Sequence, residues 1–285
     1  MKTNRDKLVK QSVIGEVHSP NFPASPYRIS SDGVPMIVHA TGGIVYNFKI
    51  GDSCMDLYGD HIEPGVSIKN PVLGENNALN ILSCIGNEAK VVSGEAKGRK
   101  GFVTGTHGGI EHVLIYFDEE TLDLLAIGDK IQVKAFGQGL RIEGLDDLKI
   151  MNLDPDLMEK IDLEVKDGKL IVPVVTEIPS HLLGSGIGAD GAKGDYDIMT
   201  GDRAENEKYA INDLKFGDLV LLRDADTSFG RQHLTGAVTV GVVIHSDCIK
   251  GGHGPGVSSI FTSKTSSIVG RLDKEANIAN YLGVK

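Results

Sequence analysis

Cysteine is scarce in this chain. The three that occur, Cys54, Cys84 and Cys248, form no Cys-x-x-Cys pair. An odd count without paired spacing argues against a disulfide framework and fits a reducing compartment. Long hydrophobic runs are missing as well. No stretch approaches the roughly 18 apolar residues that a membrane-spanning helix requires, and the opening MKTNRDKLVKQSVIGEV has no apolar core of signal-peptide length. Together these point to a cytoplasmic protein with no membrane partner. Basic charge is in deficit too: 29 Lys and Arg stand against 39 Asp and Glu, a net charge of −10. The deficit is even, with 15 basic and 19 acidic residues up to position 150 and 14 and 20 beyond it. A uniformly acidic surface repels phosphate backbones, so nucleic acid is disfavoured as a partner.

What the chain has in surplus is glycine: 36 in 285 residues, against a usual share of about 7%. No collagen-like period is present, so the surplus reads as many tight turns in a β-rich fold. One turn pattern recurs. FKIGDSCMDLYGD, LAIGDKIQVKAFG and LKFGDLVLLRDAD each place an apolar residue before Gly-Asp, at Gly51-Asp52, Gly128-Asp129 and Gly217-Asp218. Glycine supplies the positive φ and aspartate bonds nearby backbone, so each pair predicts a turn that launches a strand.

Further strands are predicted in GVPMIVHATGGIVYNF, AKVVSGEAKGRKGFVTG, EHVLIYF, KLIVPVV and GAVTVGVVIHS, all β-branched and bounded by glycine. Short helices are predicted in DEETLDLLAIG, in DPDLMEKI with Asp154 as N-cap and Pro155 in the first turn, and in DKEANIANYLG. The polar stretch NLDPDLMEKIDLEVKDGKL separates two glycine-rich segments and places a boundary near residues 150–165. The expected fold is mainly β: two glycine-rich parts, barrel-like or sandwich-like, with a few short helices, spanning residues 1–155 and 156–285.

The chemistry concentrates in HSDCIKGGHGPGV, residues 245–257. A strand ending in VIHSD would place His245 and Asp247 on one face, with His253 following on a loop. A His-Asp-His cluster suits a divalent metal or general acid–base work. Gly252, Gly254 and Gly256 would let the backbone approach a ligand and offer N–H groups to an anion. A second stretch echoes the first. CMDLYGDHIEPGVSI (54–68) and CIKGGHGPGVSSI (248–260) both read Cys, a glycine-bearing segment, His, then Pro-Gly-Val-Ser. If this is an internal repeat, His61 and His253 face one cleft. Cys54, His61, Cys248 and His253 as a zinc site, and Cys248 as a nucleophile, remain open alternatives. LLGSGIGADGAKGDYD fits the dinucleotide fingerprint formally, but turn-forming DGAKGDYD follows it where that motif needs a helix. It crowds Asp190, Asp195, Asp197 and Asp202 into 13 residues, and Asp195 and Asp197 are its candidate metal ligands.

KVVSGEAKGRKGFVTG resembles the KOW motif of SH3-like barrels, which implies a strand-turn-strand and, in that family, nucleic-acid or protein contacts. Its surroundings, residues 88–101, hold four basic and two acidic side chains. PSHLLGSGIG, KGDYDIMTGD, LKFGDLVLLRDAD, SFGRQHLTGAVTVGVVIHSD, GGHGPGV and ANIANYLG, in this order, resemble a prokaryotic domain-of-unknown-function family with an N-terminal and a C-terminal part. That resemblance implies no activity. A fainter similarity to acetamidase/formamidase enzymes implies amide hydrolysis. Yet Gly194-Asp195-Tyr196-Asp197 replaces their Gly-Asn-x-Asp, and Gly217-Asp218-Leu219-Val220 lacks the histidine of their Gly-Asp-x-His. Two functions follow: a binder of a small polar molecule or divalent metal, extending to metal-assisted hydrolysis, or a non-catalytic binding or assembly module. A homo-oligomer is compatible with either.

Overall fold

The computed structural model describes residues 1–284 except positions 23, 24, 26, 39 and 40. Six antiparallel strands close a barrel in the order Gln11–Val17, Lys130–Ala135, Glu88–Val91, Lys100–His107, His112–Tyr116, Gly65–Lys69. Closure comes from the last strand returning to the first, with Glu16 opposite Lys69 and Val17 opposite Ile68. The barrel interior is filled by Val17, Val66, Ile68, Val91, Val103, Val113, Ile115, Ile131 and Val133. Closure leaves no free edge among these strands.

The second part is an open sheet. Its order is Leu148–Ile150, Gly256–Ser263, Gln232–Val243, Leu219–Asp226, Thr176–Ile178, with Tyr196–Asp197 also on Gly256–Ser263. A three-stranded sheet, Glu164–Lys166, Lys169–Val174 and Ile268–Leu272, buries Leu170, Val172, Val174 and Ile268 in the same core as Leu219, Leu221 and Val240. That core extends under the barrel wall. On strand His112–Tyr116, Val113 and Ile115 point into the barrel while Leu114 joins the second core. A wall buried on both faces explains why HVLIY reads as continuous apolar rather than alternating.

The three Gly-Asp pairs fold alike. Gly51, Gly128 and Gly217 have φ of 97°, 89° and 89°. Asp52, Asp129 and Asp218 each accept the N–H of the residue three earlier, at 2.8, 2.9 and 2.8 Å. Each glycine N–H donates to a crossing residue, Phe216, Val17 or Val243, whose N–H returns to the aspartate carbonyl. The second and third turns launch strands as expected. The first does not: after Asp52 only Ser53 bridges, to Lys215. Its crossing partner is itself a Gly-Asp turn, so the two turns dock on one another and join the two parts.

The hairpin of KVVSGEAKGRKGFVTG forms between Glu88–Val91 and Lys100–His107. The run at 33–48 is broken more than expected, into Pro35–Met36 and Ile44–Val45, because Gly42 and Gly43 turn the chain at φ of 98° and 88°; positions 39 and 40 lie outside the described residues. The three expected helices are present at Glu119–Leu124, Pro155–Met158 and Ile278–Leu282. Asp154 caps the second through the N–H groups of Asp156 and Leu157. Helix Leu73–Leu82 was not foreseen; Leu79 anchors it in the barrel core. No described helix is long and apolar enough to cross a membrane.

Candidate functional site

Where the barrel wall meets the open sheet, seven titratable side chains converge: His61, His107, His245, His253, Asp195, Asp197 and Cys248. Local chain chemistry puts them there. A bulge between Val103 and Gly105 shifts the strand's register against its partner. Gly105 then faces Ile244 across the junction, and His107, two residues on, takes the same side. Strand Tyr196–Asp197 pairs with Gly256–Ser263, setting Asp197 opposite Gly256. The missing side chain of Gly256 makes room for the cluster: a Cβ there would stand 2.2 Å from both Asp195 Oδ2 and His245 Nε2.

Three of the histidines share one arrangement. His61 Nδ1 lies 3.0 Å from Asp60 Oδ1. His107 Nδ1 bonds Glu63 Oε1, and His245 Nδ1 lies 2.8 Å from the Ser246 carbonyl. Each ring is thus held through Nδ1 by an oxygen acceptor, leaving Nε2 for the centre. Ligand atoms of the three lie within 4.8 Å of one another. This is the outer support that metal-binding imidazoles use to fix tautomer and orientation. Glu63 is fully enclosed and serves two rings, also accepting from His112 Nδ1 at 2.9 Å.

Carboxylates complete the cluster. Asp195 Oδ2 is 2.9 Å from His245 Nε2, and its Oδ1 accepts the Gly108 N–H at 2.7 Å. Asp197 is 4% exposed, yet its Oδ2 has no hydrogen-bond partner. His253 Nδ1 stands 2.9 Å from that oxygen and His61 Nε2 3.8 Å, without the alignment of a hydrogen bond. A buried carboxylate oxygen costs free energy unless something positive completes it.

The charge balance points the same way. Burial disfavours charge on His61, but the Asp197 and Asp60 carboxylates beside it outweigh that and hold its imidazolium up to about 12. Burial likewise opposes charge on His245, and Asp195 and Asp197 raise it to about 9. Asp60, pushed up by burial, is drawn down to about 2 by His61, Cys248 and Arg28. Asp195, Asp197 and Glu63 are all lowered against their burial by neighbouring histidines. Without a cation, the cluster therefore holds protons on His61 and His245 to balance its carboxylates. A divalent ion would displace those protons and take over their role.

The residues expected from sequence divide. His61, His245, His253, Asp195 and Asp197 are brought together. His61 Nε2 and His253 Nδ1 are 3.3 Å apart, so the two His-Pro-Gly loops, each leading into a strand, do share a cleft. Asp247 is not in the cluster: the strand ends at Val243, before the alternation can carry it there, and its Oδ1 accepts from Thr200 Oγ1 and the Cys248 N–H. Asp202 caps helix Arg203–Lys208 and Asp190 caps a turn at Ala192, so the four clustered aspartates split. Cys54 is buried in the core with its thiol on the Leu214 carbonyl, outside any zinc set. Gly254 and Gly252 serve chain packing: a Cβ on Gly254 would meet the Ile198 carbonyl at 1.8 Å, and the Gly252 carbonyl accepts the Ser185 N–H. No helix follows the GSGIGA segment before Arg203. His107, Glu63 and Asp60 escaped the sequence reading. Their only signal was position, Glu63 and Asp60 flanking His61 in one loop and His107 two residues past the KOW-like stretch, opposite His112.

His253 is half-buried at the edge of a cleft of about 470 Å3 that also borders Thr200, Arg203, Asp247, Cys248 and Lys250. A larger groove of about 660 Å3 runs along Tyr46, Phe48 and Tyr116 but is lined by no histidine or cysteine. Size and chemistry thus separate: of these two, the smaller cleft adjoins the cluster.

Residues 27–159 match the N-terminal model, and residues 160–282 the C-terminal model, of the domain of unknown function DUF4438. The chain belongs to that two-part family. A solved crystal structure, that of TM1086, shares 49% identity with a TM-score of 0.94, covering 99% of this chain and 99% of that one. No curated protein matches the chain.

Proposed function

We propose that this member of the DUF4438 family binds a divalent transition metal at the junction of its two parts and uses it to hydrolyse a small polar substrate. The observation that carries the reading is the buried Oδ2 of Asp197, which has no aligned hydrogen bond and faces the ring nitrogens of His253 and His61, beside imidazoles whose Nδ1 atoms are already anchored. Mixed imidazole and carboxylate donors suit zinc, iron, cobalt, nickel or manganese better than calcium or magnesium. Such an ion, when bound, supplies Lewis acidity and an activated water near neutral pH.

The chain's own residues do the rest. Asp60, Glu63 and the Ser246 carbonyl fix the rings and keep their Nε2 atoms directed inward. Burial of His245 and Asp195 excludes bulk water from the inner side. His253, at the cleft edge, stands where an incoming substrate reaches the cluster. The cleft's volume favours a small molecule, and its border of Thr200, Arg203 and Lys250 favours a polar one.

The alternative of an assembly module working through the KOW-like hairpin finds less support. Two of its four basic side chains are already paired, Lys100 with Glu88 at 2.9 Å and Arg99 with Glu120 at 3.4 Å. The test is elemental analysis of protein purified without chelator, followed by ester and amide hydrolysis assays on metal-stripped and reconstituted samples. One or more equivalents of metal, and activity that returns with the metal, supports the reading. Metal-free protein that takes up none rejects it.

A further inference from the structure

We propose that the cluster holds two cations rather than one, with Asp197 bridging them. This rests on the metal reading above and extends it. Seven donors converge, which is more than an ion that favours nitrogen and sulfur accepts. They divide by geometry into an inner and an outer set.

The inner set is His107, His245, Asp195 and Asp197 Oδ1. His245 Nε2 lies 2.9 Å from Asp195 Oδ2 and 3.7 Å from Asp197 Oδ1. The outer set is His61, His253, Asp197 Oδ2 and Cys248. Here His61 Nε2 and His253 Nδ1 are 3.3 Å apart, and Asp197 Oδ2 is 2.9 Å from the second and 3.8 Å from the first. With metal–nitrogen bonds of about 2.0–2.1 Å, two ligands on a tetrahedral ion stand roughly 3.3 Å apart. Both sets straddle that spacing. Asp195, Asp197 and His245 form one metal-compatible group and His61, Cys248 and His253 another, each with ligand atoms within 4.8 Å, while a third, His61, His107 and His245, spans the two and sets them side by side. Asp197 faces both with a separate oxygen to each, Oδ1 to His245 and Oδ2 to His253, as a carboxylate does between ions about 3.5–4 Å apart.

The two positions differ in access. His245 is fully buried and Asp195 nearly so, whereas the His253 side chain is 23% exposed and Cys248 borders the cleft. The inner ion is therefore held by enclosed ligands, and the outer ion exchanges with solvent and receives the substrate. Cys248 Sγ now donates to Asp60 Oδ1 at 2.7 Å. As a ligand it would lose that proton.

The test uses the full chain, stripped with chelator and titrated with cobalt(II). Bound metal is counted after gel filtration, and the absorption spectrum is followed. Two equivalents are expected, with a thiolate-to-cobalt charge-transfer band growing in with the weaker one. His253→Ala, and His253→Gln as a second variant should the first melt early, should retain one equivalent, with the other weakened about 10–100-fold or more. Cys248→Ser should abolish the band. A single equivalent in the wild type, or two equivalents of unchanged affinity in the His253 variants, would overturn the two-ion proposal while leaving the metal reading intact. No bound metal at all would overturn both. A band that never appears removes Cys248 from the outer set.

Discussion

The two His-Pro-Gly loops share an order of residues and end in opposite conditions. The first, around His61, is locked. His61 sits at φ 53°, a left-handed conformation costing about 1–2 kcal/mol for a residue with a Cβ. The surroundings offset that cost: Ile62 N–H donates to Ser246 Oγ at 2.8 Å, and Ser246 N–H returns to the Ile62 carbonyl. Arg28 and Asp60 close the loop from outside. The second loop, around His253, is tied through its carbonyls, Ile249, Gly252 and Pro255 accepting the N–H groups of Ser31, Ser185 and Ile198, but it borders the cleft and leaves His253 at its edge. The same motif thus supplies a fixed wall on one side of the cluster and an accessible edge on the other. Even the shared Pro-Gly differs in its reason. Gly65 needs its φ of 74° and its clearance from the Ile115 carbonyl, whereas Gly256 leaves space for His245 and Asp195.

That contrast is breakable one residue at a time. The largest effect is expected from Gly256→Ala, whose Cβ would enter the cluster itself. Metal affinity should fall about 100-fold or more, the upper end of what displaced supporting groups cost, measured by competition with a chelating dye. Gly65→Ala should act on the fold instead. Strain and overpacking should cost roughly 1–3 kcal/mol in urea unfolding of the metal-free protein, with metal stoichiometry unchanged in the folded fraction. If both variants lose metal to the same degree, the loops are not different in kind. His253→Ala should shift stability by no more than about 0.5 kcal/mol, as a side chain at the cleft edge with little packing, yet weaken metal binding about 10–100-fold. A variant that melts much lower but binds unchanged would make His253 a structural residue.

The last effect is read as a pH slope and concerns the Gly-Asp turns that join the parts. Burial pushes the Asp218 carboxyl up to about 6, against the hydrogen bonds it accepts from Asn277 and the Lys215 N–H. Folded protein then keeps a proton that unfolded chain releases near pH 4. The stability this contributes is full below about pH 4 and is lost as pH rises through 6, by at most about 1.4 kcal/mol per pH unit. Urea unfolding of metal-free protein between pH 4 and 7 should show that decline, and Asp218→Asn should flatten it. Equal slopes in both would place the titration elsewhere.

The sequence disclosed the fold better than the site, and the reason is range. Gly-Asp turns, the Asp154 cap and the β-branched runs are written in residues a few positions apart, and all three turns formed. The strand after Gly51 was lost because its partner was another turn, the one at Phe216-Gly217 far along the chain, which no local pattern announces. The same limit governs the cluster. His61 and His253 were legible because a repeat marked them, and Asp195 and Asp197 because acidic residues crowd there. His107 carried no mark; a bulge in the barrel wall aims it across the junction. Asp247 was misplaced by extending strand alternation past Val243, where the strand ends; its carboxylate turns to Thr200 instead. Glycine misled in a similar way. Gly254 looked like ligand-facing backbone and is instead where two chain segments touch.

The most direct measurement is X-ray diffraction from the native protein, collected above and below the absorption edge of whichever metal fluorescence detects in the crystals. The account predicts an anomalous peak between His107, His245 and Asp195, with a second, weaker one among His61, His253 and Asp197. Crystals with no anomalous density within bonding distance of those side chains, grown from protein reconstituted with zinc, cobalt or manganese, would contradict it.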